Sequence, residues 1–270
     1  MRGMYTAGAL DVFLKEGVHF QGVMGVSAGA LFGVNFLSGQ AGRVIRYCKK
    51  YNPDHHYLGL GVLLHTGEFV NRHFAYDKVP RELDPFDDQA FQASGVPFYA
   101  VVTNLDTGKA EYMEVPRRDE KFLLLQATCA LPLMLPIYHL DGKPYLDGGA
   151  ADAIPFHRAF EQGCDRAVVI LTKPRDFVRK AEKLQRLIER RYREYPNFCQ
   201  AMRERAEKYN ADKEELFELE RQGKVLIFAP DSLHGVGRIE HNVEKLRLLW
   251  GEGYQHGVER MEELESFLGR

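Results

Sequence analysis

Residues 24–33 read Met24-Gly25-Val26-Ser27-Ala28-Gly29-Ala30-Leu31-Phe32-Gly33, and this stretch decides the fold. Residues 19–24 form a short apolar run and residues 28–37 have the composition of a buried helix, so the sequence predicts a strand, a sharp turn and a helix. A serine at such a turn needs strained backbone angles, and the flanking glycines make those angles and close approach of neighbouring main chain possible. Ser27 is therefore a candidate nucleophile at the positively polarised start of a helix.

Ser27 has a simpler interpretation as well, because serine is common at the N-cap of helices. A serine hydroxyl is a poor nucleophile without an adjacent base, and the usual partner is histidine. Of the ten histidines, only His234 and His241 lie where hydrolases of the order Ser, Asp, His place theirs. Asp147 is the stronger candidate, because it ends a predicted strand, although Asp-Gly-Gly by itself is ordinary turn chemistry.

Composition and charge narrow the class of protein. Thirty-six Lys and Arg against 38 Asp and Glu give a formal charge of −2, so no global charge favours nucleic acid as a partner. The four cysteines contain no C-x-x-C pair, which predicts unpaired thiols in a reducing compartment, hence the cytoplasm, and argues against a zinc site. Residues 17–42 carry no charged side chain, but their seven glycines favour a buried strand and helix over a membrane span.

Strands alternate with helices through residues 1–174, which predicts an α/β catalytic core with a mostly parallel central sheet flanked by helices. Residues 175–270 are dense in charge with helical periodicity, and predict a mainly helical C-terminal region packed on the core, with one strand near 225–229. Residues 96–103 and 110–115 are predicted as a hairpin or as neighbouring strands. Residues 120–129 are predicted as a helix, and 240–267 as two helices separated near Gly251 to Gly253.

Several motifs in this order resemble the patatin-like phospholipase family. The matching residues are Arg2-Gly3, residues 5–11, Gly25-Val26-Ser27-Ala28-Gly29, Ala130-Leu131-Pro132, and Asp147-Gly148-Gly149 with Asp152 and Pro155. The second half is similar to a bacterial branch of that family with an extra helical C-terminal region, through residues 171–174, Tyr195-Pro196 and Tyr209-Asn210.

The resemblance implies hydrolysis of fatty acyl esters of phospholipids or related lipids by a Ser-Asp dyad. In that scheme Ser27 attacks the ester carbonyl, Asp147 acts as general base, and water releases the acyl group from the serine. The resemblance implies no metal and no organic cofactor. It assigns the oxyanion hole and the supporting turns to the motif positions Arg2, Gly3, Gly25, Gly29, Gly148 and Gly149.

One departure concerns the oxyanion hole, which the family builds in a glycine-rich loop that reads Gly-Gly-Gly-x-Arg-Gly. This chain begins at Met1-Arg2-Gly3. One expectation is that the natural reading frame begins about ten residues upstream. The alternative is a catalytically impaired lipid-binding protein, because loss of one oxyanion donor costs on the order of 10² to 10³ in rate.

Two apolar stretches, residues 57–64 and 130–137, are candidates to line an acyl groove or to lie against lipid, with ordinary core packing as the alternative. Residues 179–193 are rich in Arg and Lys, and predict transient contact with anionic lipid head groups. The alternative for this segment is a solvated face, since Glu182, Glu189 and Glu194 dilute its charge.

Overall fold

A computed structural model describes residues 1–54, 57–116 and 121–269. The strands are β1 (Val23–Val26), β2 (Phe98–Asn104), β3 (Ala110–Glu114), β4 (Tyr138–Leu140), β5 (Lys143–Asp147), β6 (Ala167–Ile170) and β7 (Val225–Phe228). The α-helices are α1 (Met4–Lys15), α2 (Ala28–Leu37), α3 (Arg43–Tyr51), α4 (Leu60–Thr66), α5 (Asp88–Ala93), α6 (Leu123–Thr128), α7 (Phe156–Glu161), α8 (Gln185–Arg191), α9 (Pro196–Arg221), α10 (Val243–Glu259) and α11 (Met261–Leu268). Residues Phe74–Leu83 form a π-helix and Gly148–Ala150 a single 3₁₀ turn.

The central sheet is built around β2. Strand β1 pairs with it in parallel, β3 and β5 pair with it antiparallel, and β4 extends the sheet antiparallel to β5. The predicted α/β class, with a central sheet flanked by helices and a helical C-terminal region, is confirmed, but the pairing in this sheet is mixed and not mostly parallel. Part of the difference comes from a tight turn: between β4 and β5, Asp141 and Gly142 have φ angles of 50° and 78°, as a two-residue hairpin requires.

Strands β1 and β5 lie end to end along one edge of β2. Strand β3 covers residues 99–103 of β2 on one edge, so the strands that pair with residues 98–101 and 102–104 must share the other edge. Val26 of β1 lies opposite Val101, and Asp147 of β5 lies opposite Val102. Because these two strands run toward each other, their carboxyl-terminal ends meet at the middle of β2.

The closing helices differ from the prediction. Helix α10 runs through Gly251 and Gly253 without interruption, and the break lies at Arg260, between α10 and α11. A Cβ atom at Gly253 would overlap the carbonyl oxygen of Tyr5, and one at Gly8 would overlap that of Trp250. These glycines therefore let α1 and α10 pack backbone against backbone, and they do not end a helix.

Contacts between secondary-structure elements cross the predicted division at residue 174. Strand β6, before that position, pairs in parallel with β7, after it. A buried apolar cluster likewise contains residues from both sides, namely Ile154, Phe156, Leu171, Tyr209, Leu216, Val225 and Ile227. The assignment of two functional units, residues 1–174 and 175–270, stays a prediction.

The uncharged segment 17–42 forms β1 and α2, with the strand at 23–26 and not at 19–24. The hairpin β2–β3 and the break before Pro196 follow the prediction, and the predicted helix 120–129 is α6, with Glu120 outside the described residues. In the parts of the chain that the structure describes, no helix has both the length and the apolar character to cross a bilayer.

The contact between α1 and α10 predicts opposite effects for two glycines on the same helix. We expect Gly253→Ala to lower the free energy of unfolding by about 2 kcal/mol or more, because the new methyl group overlaps the Tyr5 carbonyl. Gly251→Ala is the matched control: its Cβ meets no atom within 4 Å, so helix propensity should raise stability by up to ~1 kcal/mol. Urea denaturation measures both. Equal effects would contradict the close helix packing.

Candidate active site

Ser27 occupies the junction between β1 and α2 in a strained conformation. Its φ and ψ angles are 54° and −118°, a region that residues other than glycine rarely adopt. The side chain makes no capping hydrogen bond to α2. The N-cap interpretation therefore does not account for the hydroxyl, whereas strain of this kind is common at functional sites.

The two glycines that flank Ser27 have different roles. A Cβ atom at Gly25 would lie 2.5 Å from the backbone of Ala30, so only glycine lets β1 approach the first turn of α2. A Cβ at Gly29 meets no atom within 4 Å, and this glycine faces open space. The prediction that both glycines serve close backbone approach is correct for Gly25 and wrong for Gly29.

Thr128, the last residue of α6, fixes the backbone of Ser27. The Ser27 N–H donates to Thr128 Oγ1 at 3.0 Å, and that hydroxyl donates to the Val101 carbonyl at 2.5 Å. The elbow is thus tied to β2 by a buried side chain more than 100 positions away in sequence. Sequence reasoning missed Thr128, because nothing in its local pattern distinguishes it from a core threonine.

Asp147 ends β5 beside this elbow, as its motif predicted. The side chain is 3% exposed, and its Oδ1 accepts the Gly149 N–H at 2.8 Å. Its Oδ2 is buried and has no hydrogen-bond partner of good geometry among the described residues. One carboxylate oxygen therefore serves the turn, and the other is available for chemistry.

Electrostatics also connect Asp147 to Ser27. Burial raises the pKa of the Asp147 carboxyl, while the nearby Ser27 hydroxyl and the Arg205 guanidinium act to lower it. A raised pKa makes a carboxylate a stronger base, and the opposing interactions favour its charged form. The two side chains proposed from their motifs are therefore brought together in the fold.

The turn after Asp147 is held from both sides. Arg205 of α9 donates from Nε to the Gly149 carbonyl at 2.6 Å. A Cβ at Gly148 would overlap the Val101 carbonyl, so glycine is required where this turn passes β2. Arg205 was not predicted, because the sequence gives no signal that separates it from the other basic residues of its helix.

Cys129 is a second nucleophile type next to Ser27. Burial raises the pKa of its thiol to about 12, with Asp147 adding to that effect and the Ser27 hydroxyl opposing it. The thiol is neutral at ordinary pH and is a poor nucleophile. All four cysteines are free, as predicted, and the cytoplasmic location inferred from them stays a prediction.

A cavity of about 1320 Å³ contains the predicted site. Its lining includes Ser27, Asp147, Arg2, Gly3, Gly25, Gly29 and Gly149. Gly3 is seated tightly on α2, since a Cβ there would lie 2.6 Å from the Phe32 ring and 2.8 Å from Ala28. The Arg-Gly end of the N-terminal motif thus lies against the helix that follows the serine.

The apolar wall of this cavity comes from elements other than the two predicted stretches. None of the described side chains of residues 57–64 lines it, and of residues 130–137 only Leu131 does. The apolar lining comes mainly from α1, α2 and β6, through side chains such as Phe13, Phe36 and Ile170. Leu64 is 85% exposed while Val62 is buried in the core, so the first stretch divides between surface and packing.

The alternative base candidates do not line the cavity. His234 Nε2 lies 2.7 Å from Glu252 Oε2, and His241 Nδ1 lies 2.6 Å from the Asn52 carbonyl. Both histidines therefore have hydrogen-bond partners other than Ser27. Among the described residues, no histidine lines the cavity that contains Ser27.

One group of side chains has the composition of a metal site. Potential ligand atoms of Asp231, Glu252 and His256 lie within 4.8 Å of one another, outside the cavity. However, Glu252 accepts hydrogen bonds from the Asp231 N–H and from His234, and His256 Nδ1 lies 2.9 Å from the Tyr5 hydroxyl. Both Glu252 oxygens and His256 Nδ1 therefore have protein partners, and His256 Nε2 lies 3.7 Å from Asp231 Oδ2.

Comparison with known proteins agrees with this geometry. A family model described as patatin-like phospholipase matches residues 1–160, which is more than half of the chain. The chain belongs to the patatin-like phospholipase family. The description of this family names a phospholipase.

Two further matches concern a relative and the C-terminal region. The uncharacterized protein YjjU of Escherichia coli (strain K12) is 28% identical over 177 residues, which make up 64% of this chain and 49% of YjjU. The chain thus spans about half the length of this curated relative. A model for a domain of unknown function (DUF6363) matches residues 195–269, which include Arg205 and the helices α9 to α11.

The burial of Asp147 predicts a pH-dependent gain in stability for its neutral analogue. Because the pKa is raised on folding, the protonated carboxyl stabilises the fold near pH 3.8, and this contribution is lost as the pH rises through the folded pKa. We expect Asp147→Asn to unfold at higher urea concentration than wild type at pH 7, with the difference shrinking toward pH 4. Urea titrations at the two pH values test this. A variant less stable than wild type at pH 7 contradicts it.

Proposed function

We propose that this chain is a serine acyl hydrolase that cleaves fatty acyl esters of phospholipids or related lipids through an acyl-enzyme on Ser27. One observation carries the proposal: Ser27 and the buried Asp147 line the same cavity. Ser27 has a strained backbone, and its side chain makes no capping hydrogen bond to α2. At about 1320 Å³, with an apolar wall, the cavity has room for an acyl chain beside the two side chains.

Asp147 is the proposed base in place of histidine. An ordinary carboxylate is too weak a base to activate serine well, and burial raises the pKa of Asp147 in the useful direction. The Ser27 hydroxyl and the positive charge of Arg205 oppose this rise in pKa and favour the ionised carboxylate, the form that accepts a proton in the proposed reaction. The free Oδ2 supplies the accepting lone pair.

The proposed oxyanion site lies at the start of α2. The N–H groups of Ala28 and Gly29 belong to the first helical turn and have no intrahelical acceptor. Both residues line the cavity next to Ser27, together with Gly3. These N–H groups and the positive end of the helix would stabilise the negative charge that develops on the carbonyl oxygen.

The reaction then has two balanced steps. Ser27 Oγ bonds to the ester carbonyl carbon while its proton passes to Asp147, and the tetrahedral intermediate collapses as that proton moves to the departing alcohol. Water attacks the acyl-serine, giving its proton to Asp147, and collapse returns a proton to Ser27 Oγ and releases the fatty acid. Each step uses the same carboxylate as acceptor and then as donor.

A fluorophosphonate probe tests the nucleophile directly, because it modifies serine only where a base and an oxyanion site activate it. We expect one adduct, on the peptide that contains Ser27. We expect no adduct in Ser27→Ala and at most a trace in Asp147→Asn, with hydrolysis of a medium-chain ester reduced about 10³-fold or more in both. Ser232→Ala, at an exposed serine outside the cavity, is the control and should react as wild type does.

Other outcomes would favour the alternatives. Loss of activity in His234→Ala or His241→Ala, with Asp147→Asn still active, would contradict the dyad and favour a histidine base. Binding of a fatty acid without labelling or turnover would contradict hydrolysis, and would favour a lipid-binding protein that has lost the reaction.

We further propose that the segment around α8 contacts an anionic lipid surface during the reaction. Val178, Leu184 and Leu187 are exposed large apolar side chains, at 61%, 53% and 49%, and basic residues alternate with them. Arg179, within this segment, lines the cavity. Apolar side chains flanked by positive charge are suited to insertion among anionic head groups, next to the entrance for a lipid chain.

Vesicle sedimentation tests this contact. We expect the triple variant Val178→Ser, Leu184→Ser, Leu187→Ser to bind vesicles of phosphatidylglycerol and phosphatidylcholine about tenfold or more weakly than wild type, because buried apolar area is lost. The matched control is Leu248→Ser with Val258→Ser, which removes equally exposed apolar side chains from α10. Equal loss in the two variants, or no binding by wild type, contradicts the proposal.

A further inference from the structure

The cavity that holds Ser27 and Asp147 has a strongly basic side. Five basic residues from separate parts of the chain, here called the basic cluster, line it: Arg2, Lys173, Arg179, Arg205 and Arg238. Arg166 and Asp165 line it as well, at the exposed surface, where Arg166 donates to the Phe267 carbonyl. The proposed reaction needs only Ser27 and the Asp147 carboxylate, so it does not explain why five basic residues line the cavity.

The cluster is only partly neutralised by protein. Glu182 lies 3.7 Å from both Arg205 and Arg238, and Asp147 lies near enough to Arg205 and Arg238 for its pKa to respond to them. Five cations against these two carboxylates leave a formal charge of 5 − 2 = +3. Like charges held together in a buried wall are costly unless an anion joins them.

Lys173 shows this imbalance most clearly. It is 8% exposed, and its ammonium group lies 4.4 Å from the centre of the Phe177 ring, with no hydrogen bond or ion pair to the described residues. Burial and the neighbouring arginines lower its pKa to about 8. An ammonium group on a largely buried side chain, without a protein acceptor and at the wall of a cavity, is suited to bind an anion.

Arg179, another residue of the basic cluster, is held in place by contacts with α9. Its backbone N–H donates to Asn210 Oδ1 at 2.9 Å and its carbonyl accepts from Asn210 Nδ2 at 3.0 Å. Its guanidinium lies 4.3 Å from the centre of the Tyr209 ring. The Nε atoms of Arg179 and Arg2 are both buried without a hydrogen-bond partner among the described residues. Arg179 is thus held in place by its neighbours, and two buried guanidinium N–H groups of the basic cluster lack a protein acceptor.

We propose that the basic cluster binds a phosphomonoester group carried by the acyl ester, so that the substrates of Ser27 are phosphate-bearing acyl esters. This inference rests on the proposed acyl hydrolase function. A phosphomonoester has a charge of about −1.5 to −2 and three acceptor oxygens, which suits several converging guanidinium and ammonium groups better than a single carboxylate would. The acyl chain would then lie along the apolar wall.

Binding without turnover tests the cluster independently of the reaction. In the Ser27→Ala protein, we expect an octyl ether of glycerol 3-phosphate to bind about tenfold or more tightly than the octyl ether of glycerol, measured by calorimetry below micelle concentrations. Adding Lys173→Met or Arg238→Gln should reduce this ratio about tenfold. The two variants are complementary, because Arg238 is exposed and its replacement does not disturb packing.

Lys180→Met is the matched control, since Lys180 is exposed and does not line the cavity, and it should preserve the ratio. Inorganic phosphate separates the two sources of the anion. Displacement of the phosphate ether by phosphate alone shows that the cluster recognises the free ion too, and failure to displace it shows that the acyl chain is required. Equal binding of the two ethers, or a ratio unchanged in both cluster variants, overturns the proposal.

Kinetics of the wild-type chain distinguish failure of this inference from failure of the hydrolase proposal. The corresponding octanoyl esters, with and without phosphate, should differ about tenfold or more in kcat/KM. Hydrolysis of both at equal rates overturns the phosphate preference and leaves the hydrolase. Hydrolysis of neither, with tight binding of the phosphate ether, leaves the anion site and overturns the hydrolase.

Discussion

The chemistry of this protein depends on two strands that meet end to end on one edge of β2. Val101 and Val102 are neighbours in β2, and they pair with the last residue before Ser27 and with Asp147 itself. If one continuous strand occupied this edge of β2, the ends of two strands could not meet at its middle. The opposed directions of β1 and β5 therefore put Ser27 and the Asp147 carboxylate at the same height of the sheet.

The convergence of these strands imposes close backbone contacts, and glycine relieves them selectively. Gly25 and Gly148 are required because main chain passes directly against their Cα atoms, at Ala30 and at the Val101 carbonyl. Gly29 has no such contact and leaves the first turn of α2 open to the cavity. Glycine thus permits close backbone packing at positions 25 and 148, and it leaves the cavity accessible at position 29.

The C-terminal region is part of the site as well as of the scaffold. Arg205 of α9 supports the turn after Asp147, and Arg179 and Arg238 line the cavity that contains Ser27 and Asp147. These residues lie beyond the 1–160 match to the family model. In the function proposed above, the family fold supplies the elbow and the carboxylate, and the neighbouring region supplies basic residues for the head group.

The sequence by itself determined what depends on local chemistry: the strand, elbow and helix around Ser27, the turn after Asp147, and the hairpin β2–β3. Tertiary structure decided the antiparallel pairing of β5, the tie from Thr128, the support by Arg205, and the continuity of α10 through Gly253. Turn residues and apolar period act over a few positions, and a sequence displays them directly. Which edge a strand occupies and which distant side chains converge depend on packing of the whole chain, which no local pattern records.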